Sequence, residues 1–215
     1  MRALLQRLAT EWRTRGPAGF IRFVALRLFQ WRRDVLYASD PARLAAAAAG
    51  WAEVPGETVV WVHRGNLGSA DTAAVEAAVL GGANHAYRQA LCGADLLLAI
   101  VDKQGHVASY GFVLFESFYK QVLGEAADTP MIGNCLTDPR QRGRGYYPRL
   151  LRAACRRLAD EGYRRVIITC APDNLASVRG IEKAGFRRVR ALSSLVVAAR
   201  WIAWQRGVDV DQDSG

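Results

Sequence analysis

The chain reads as a mixed α/β fold: a central mixed sheet with flanking helices, preceded by an N-terminal helical extension. Three patterns predict it. Residues 96–115 hold two apolar runs around the turn Asp102-Lys103-Gln104-Gly105, which is a hairpin signal. Residues 131–170 read as strand, glycine-rich loop, amphipathic helix and strand, which favours a parallel pair. The first 50 residues instead place apolar side chains at helical spacing among arginines.

The elements follow in order. Leu4, Leu5, Leu8 and Trp12 share one helical face, and Arg15-Gly16-Pro17 ends that helix. A second helix is predicted over Phe20–Leu36, with Phe20, Ile21, Val24, Leu28, Trp31 and Val35 in one stripe. Asp40-Pro41 starts a third helical piece that runs to about Gly50. Thr58–His63 is a strand, and Asp71–Leu91 is helical sequence broken at Gly81-Gly82. Leu96–Val101 and His106–Phe115 form the hairpin, and Glu116–Pro130 is a connection without a clear pattern. Met131–Thr137 is a strand, Asp138–Gly145 a loop, Tyr146–Asp160 a helix closed by Gly162, and Arg165–Cys170 a buried strand. Asn174 is a good N-cap for a helix over Leu175–Ala184, which Gly185 ends. Two strands are predicted in Arg187–Trp204 around Ser193-Ser194. The domain reading is therefore a basic amphipathic extension over 1–55, a catalytic-type α/β domain over 56–205 and an acidic flexible tail over 206–215.

Composition bounds the function. The 215 residues are 51% hydrophobic and 23% charged, an ordinary globular balance that excludes a wholly disordered chain. The formal net charge is +9. Residues 1–36 hold eight arginines against Glu11 and Asp34, a net of +6, so the basic character sits mainly in the N-terminal segment. That weighs against a specific nucleic-acid binder and leaves three readings for the segment: docked structure, a contact between copies, or an anionic membrane surface. Cys92, Cys135, Cys155 and Cys170 have no CxxC spacing and the three histidines no HxxxH or HExxH spacing, so no metal site is expected. The cysteines read as small core residues of a reduced, cytoplasmic protein, which the basic segment would bring to the inner face of the membrane. No charge-free apolar run approaches the ~18 residues of a membrane-spanning helix.

Chemistry concentrates in the loop Asp138–Gly145. A strand ends, the chain turns at Pro139, and Arg142-Gly143-Arg144-Gly145 leads into a helix. Glycines let the backbone approach a ligand and align successive N–H groups. The helix start adds unpaired donors and a positive dipole end, and the arginines add charge. This is a pyrophosphate cradle. It is not a Walker loop, because no Gly-Lys-Ser/Thr follows. Nor is it a dinucleotide GxGxxG, because the third glycine position is Pro148.

The run Thr137–Tyr147 with Leu150-Leu151 closely resembles the coenzyme A loop of the GNAT acetyltransferase superfamily. So does the later pair Asn174-Leu175-Ala176-Ser177 and Glu182-Lys183-Ala184-Gly185-Phe186. The resemblance covers roughly residues 56–200. It implies that acetyl-CoA is the cosubstrate, with no metal, and that an amine attacks its thioester directly in a ternary complex. Carried over, it puts the coenzyme A pyrophosphate on the backbone of Arg142, Gly143, Arg144, Gly145, Tyr146 and Tyr147. It puts the pantetheine along Cys135, Leu136 and Thr137, and Asn174 and Ser177 against the same cofactor. Two departures matter: Tyr147 stands where the loop pattern ends in glycine or alanine, and Ile181 stands where many members carry a tyrosine acid. Met131 falls near the place of the strand glutamate that serves some members as base. Glu116 is left as the candidate for a base or a substrate-ammonium contact. The acceptor is open among an amino sugar, an amino acid derivative, a polyamine and a protein N-terminus. A coenzyme A-binding domain without catalysis, acting as a regulatory or membrane-surface module, is the alternative.

Overall fold

A computed structural model describes residues 16–17, 29–47, 54–81, 87–117, 119–197, 200–202 and 208–209. In chain order the elements are β1 (Phe29–Ser39), α1 (Pro41–Ala47), β2 (Thr58–Val62), α2 (Ala73–Leu80), α3 (Tyr87–Ala90), β3 (Leu96–Val101), β4 (Val107–Leu114) and α4 (Tyr119–Val122). They continue with β5 (Met131–Thr137), a 3₁₀ turn (Pro139–Gln141), α5 (Tyr146–Asp160), β6 (Val166–Cys170), α6 (Leu175–Ala184), β7 (Arg187–Val197), β8 (Arg200–Ile202) and β9 (Val208–Asp209).

The nine strands of the described residues form one mixed sheet in the order β2-β3-β4-β5-β6-β1-β7-β8, with β9 also on β7. Its pairs are antiparallel except β5 with β6, the parallel pair that the strand–loop–helix–strand pattern predicts. Alternating side chains send apolar residues to both faces. On one face Val35, Leu98, Ile132 and Ile168 meet Leu150, Leu151, Ala154 and Leu158 of α5 and Ile181 and Ala184 of α6. On the other, Leu36, Leu97, Phe112, Met131 and Ile167 meet Val75 and Val79 of α2 and Leu123. Continuous apolar strands such as LLLAIV are what burial on both faces requires.

The N-terminal prediction is corrected. Phe29–Ser39 is not the end of a helix but β1, in the middle of the sheet between β6 and β7. Val35, Leu36, Tyr37 and Ala38 are all buried in succession, as a strand covered on both faces requires. The apolar spacing that suggests a helix runs into this strand without a breaker, so periodicity alone does not reveal the switch. Residues 29–47 thus belong to the sheet and its packing rather than to an appendage ending at 55. The predicted helix over the first 14 residues, and the start of the second, lie outside the described residues.

The C-terminal prediction also changes. Ser193 and Ser194 do not separate two strands: β7 runs through them, paired with Arg33 and Arg32 of β1, and the next strand begins only at Arg200. Val208–Asp209, assigned to the flexible tail, pairs with Arg190 and Ala191 of β7. The remainder of the tail lies outside the described residues. The connection after β4 is tied down by Lys120, which is 2% exposed. Its ammonium donates to the carbonyls of Phe115, Ala127 and Thr129.

Candidate functional site

β5 and β6 pair only through Met131–Ile167 and Ile132–Ile168 and then separate. Beyond that fork the β6-facing edge of Cys135–Thr137 has no strand partner among the described residues. On its other side β5 follows β4 with a register slip between Tyr110 and Phe112. The extra residue is accommodated at Asn134, whose φ of 50° is a left-handed value that asparagine tolerates better than most residues. Its side-chain amide donates to the Tyr87 hydroxyl, and the Tyr87 ring stacks on Phe112 at 4.5 Å.

The loop after β5 is built by short-range bonds. Asp138 caps the 3₁₀ turn by accepting from the Arg140 amide at 2.7 Å. Gly143 and Gly145 have φ of 79° and 78°, and Gly145 is the N-cap of α5. A side chain at either left-handed position would be strained. Gln141 donates to Asp102 in the β3–β4 turn at 3.1 Å, which ties the loop to the hairpin. The Tyr146 hydroxyl donates to Glu57 at 2.9 Å, and Arg149 pairs with the same carboxylate. Burial alone would raise the Glu57 carboxyl, but the bonds from Arg149 and Tyr146 prevail and hold it below the usual carboxylate range.

The fork, the loop and the start of α6 enclose a cavity of about 500 Å³. It brings together Cys135, Leu136 and Thr137 with Arg142, Gly143, Gly145, Tyr146 and Tyr147, and with Asn174 and Ser177. Arg144, also assigned to binding in the sequence, is exposed and outside its lining. Asn174 caps α6 by accepting from the Ser177 amide at 3.2 Å. Sequence reasoning missed Ala176, Arg179, Gly180 and Lys183 of α6, which also line the cavity. Their spacing of three to four residues on from Ala176 is the available signal.

Tyr147 departs from the family loop pattern, and the chain compensates for it. Its ring lies against the backbone of Gly180: a Cβ there would fall 2.4 Å from Cδ1 and 2.9 Å from Cε1. Ile181, by contrast, is 0% exposed and faces the core. Burial pushes the Cys135 thiol up to about 12, which leaves it protonated and a poor nucleophile. Burial raises the Cys170 thiol too.

Glu116 does not reach the cavity. It follows β4 where Leu114 pairs with Met131, at the opposite end of β5 from Thr137, roughly 20 Å of strand away. His63 is spent on a turn, accepting from the Gly65 amide at 3.0 Å, and His106 lies 3.8 Å from Asp102 in the hairpin turn. The arginines of α5, read from the sequence as a solvated face, are partly engaged. Besides Arg149, Arg152 donates to the carbonyls of Lys183 and Ala184 at the end of α6. Arg157 pairs with Glu161 and lies over Trp61. Across the Ala171–Asn174 turn a second, polar cavity of about 670 Å³ is lined by Arg32, Arg33, Asp34 and Asp173. There Asp34 accepts from the Tyr119 hydroxyl at 2.8 Å. Among the described residues no group of three or more His, Cys, Asp or Glu side chains could hold a metal ion.

The model of the acetyltransferase (GNAT) domain family matches residues 26–187. Curated proteins give no match. Among solved structures, a Drosophila protein is similar at 15% identity with a TM-score of 0.55, covering 86% of this chain and 60% of its own. A GCN5-related N-acetyltransferase-like protein from Streptococcus suis is 15% identical with a TM-score of 0.51, over 86% of this chain and 67% of its own. A GCN5-related N-acetyltransferase from Kribbella flavida is 16% identical with a TM-score of 0.52, over 87% and 67%. The chain spans 60 to 67% of the length of these solved chains, and at such identities the likeness is one of fold.

Proposed function

The chain belongs to the GNAT acetyltransferase family, and from that membership we propose that it transfers an acetyl group from acetyl-CoA to a primary amine by direct attack in a ternary complex. The supporting observation is the cavity in which the Gly143–Gly145 loop, the free edge of β5 and the Asn174 cap converge. The amides at the start of α5 would hold the pyrophosphate, with Arg142 adding charge. The β5 edge at Cys135–Thr137 would pair with the pantetheine and polarise the thioester carbonyl. Asn174 and Ser177 would face the same cosubstrate from α6. The acceptor is a small-molecule amine, which enters neutral and leaves as the amide.

Thiol release from acetyl-CoA over a panel of amines, together with calorimetric binding of coenzyme A, tests this. Binding with amine-dependent release supports it, and absence of binding refutes it. A second reading has its own observation: the position where the resemblance puts a tyrosine acid is Ile181, a hydrocarbon side chain wholly buried in the core. On that reading the domain binds coenzyme A without turnover and acts as a regulatory or membrane-surface module. Binding without release, whatever the amine, would favour it.

Six of the eight N-terminal arginines precede β1. The proposed contact with an anionic membrane surface, or with a second copy, therefore belongs to residues ahead of Phe29. No helix of the described residues is long and apolar enough to cross a membrane.

A further inference from the structure

We propose that the polar cavity at the end of β6 is the acceptor subsite, and that it holds the zwitterionic head of an amino acid whose second, distal amine is the nucleophile. The inference rests on the acetyl-transfer reading.

Placement is the first argument. The turn 171–174 separates the two cavities: Ala171, Pro172 and Asp173 line the polar one, and Asn174 lines the one assigned to coenzyme A. β1 runs antiparallel to β6 with Val35 opposite Cys170, so Asp34, Arg33 and Arg32 continue past the end of β6 beside that turn. β5 is parallel to β6 with Ile132 opposite Ile168, and its free edge from Cys135 comes level with the same turn. Cys170 interacts electrostatically with Tyr147 of one cavity and with Asp34 of the other. A molecule seated in the polar cavity can therefore extend to the edge where the thioester carbonyl would lie.

Charge is the second argument. The wall carries two guanidinium groups and two carboxylates, Arg32 and Arg33 with Asp34 and Asp173. Such a wall complements a ligand that also carries both signs. Arg33 is exposed and makes no hydrogen bond or ion pair among the described residues, so its planar fork is open to a carboxylate. Asp34 is held by the Tyr119 hydroxyl, which donates to one of its oxygens at 2.8 Å and leaves the other to accept from an ammonium. A polyamine would set its cations against the arginines, an amino sugar brings no carboxylate, and a protein N-terminus has no free carboxylate beside its amine.

The reacting nitrogen is not the one on Asp34. Beside a carboxylate an ammonium keeps its proton, and a protonated nitrogen has no lone pair with which to attack. Asp34 is also two strand spacings from β5, roughly 10 Å. The zwitterionic head is thus the handle, and a second amine, neutral and further along the carbon chain, reaches the thioester.

The test measures kcat/KM by thiol release from acetyl-CoA with ornithine and lysine. The comparison set is the same molecules without the carboxylate, putrescine and cadaverine, and without the α-ammonium, the corresponding ω-amino acids. The inference expects one of the two diamino acids to be preferred over both of its truncated forms by about ten- to a hundredfold, the worth of a charge-assisted hydrogen bond. Arg33→Gln should bring the preference over the diamine close to one. Asp34→Asn keeps an acceptor for the Tyr119 hydroxyl and should instead remove the preference over the ω-amino acid. Coenzyme A affinity by calorimetry should be unchanged in both variants, which separates loss of the subsite from loss of the fold. Equal use of the diamines, a preference that survives both substitutions, or turnover of other amines with none of these accepted overturns the inference and leaves the acetyl-transfer reading standing. Absence of thiol release with every amine overturns that reading, and the inference with it.

Discussion

Glu57, the residue before β2, and Arg149, in the first turn of α5, form an ion pair across 92 residues of chain. The Tyr146 hydroxyl donates to the other carboxylate oxygen. The helix start that follows the glycine loop is thereby fastened to the edge of the sheet. Both side chains are mostly buried, 12% exposed for Glu57 and 20% for Arg149, so the pair is less screened than a surface bridge.

Replacing Glu57 by Gln is expected to lower stability at neutral pH by about 1–2 kcal/mol. The folded carboxyl titrates below its unfolded value of about 4.3, so its contribution is fully present above that value. It is lost as pH falls through the depressed folded value. Melting curves of the two proteins should differ at pH 7 and converge in strong acid. A pH-independent difference would mean that shape, not charge, is what Glu57 supplies.

Gly180 lies inside α6, where alanine would normally stabilise by up to about 1 kcal/mol. Here the added Cβ would meet the Tyr147 ring, so the sign should reverse. Gly180→Ala is expected to melt lower than the parent. Gly180→Ala in a Tyr147→Ala background should cost nothing or gain. Chemical denaturation of the four proteins as a double-mutant cycle gives the coupling, and additive effects would refute the contact.

Gly145 has open space around it but a φ of 78°. A β-branched residue would strain the helix start and crowd a bound phosphate. Gly145→Val should weaken coenzyme A binding well over tenfold by calorimetry. Unchanged affinity would remove the loop from the binding site.

Asn174→Asp keeps an acceptor for the Ser177 amide, and an acidic side chain suits a helix N-terminus. It also places a negative charge on the cavity wall. The expected outcome is a raised KM for acetyl-CoA at an unchanged melting temperature. A change in melting temperature alone would assign Asn174 to capping.

Deleting residues 1–36 removes most of β1, whose partners are β6 and β7, and should abolish cooperative melting. Deleting 1–28 spares every described strand and should keep the transition. In that shorter deletion, loss of salt-sensitive binding to anionic vesicles would assign the arginines to a membrane, each being worth about 1 kcal/mol near such a surface. A change in sedimentation alone would assign the segment to self-association.

Local chemistry was legible in the sequence because it is written in adjacent residues. The turn at Asp138, the glycines at 143 and 145, the cap at Asn174 and the ends of β5, α5 and α6 all follow from short-range hydrogen bonds and backbone strain. Three other features depend on residues far apart in the chain, and only the tertiary structure decided them. Phe29–Ser39 became a strand because β6 and β7 offered it partners and both faces were covered, which outweighs a helical spacing of apolar residues. Glu116 was set apart from the cavity because β4 and β5 run antiparallel, which carries the end of one strand to the start of the other. The bulk of Tyr147 was accommodated because Gly180, 33 residues later, has no side chain to meet its ring. No local pattern records such a pairing, since each residue alone is ordinary and only their contact carries the constraint.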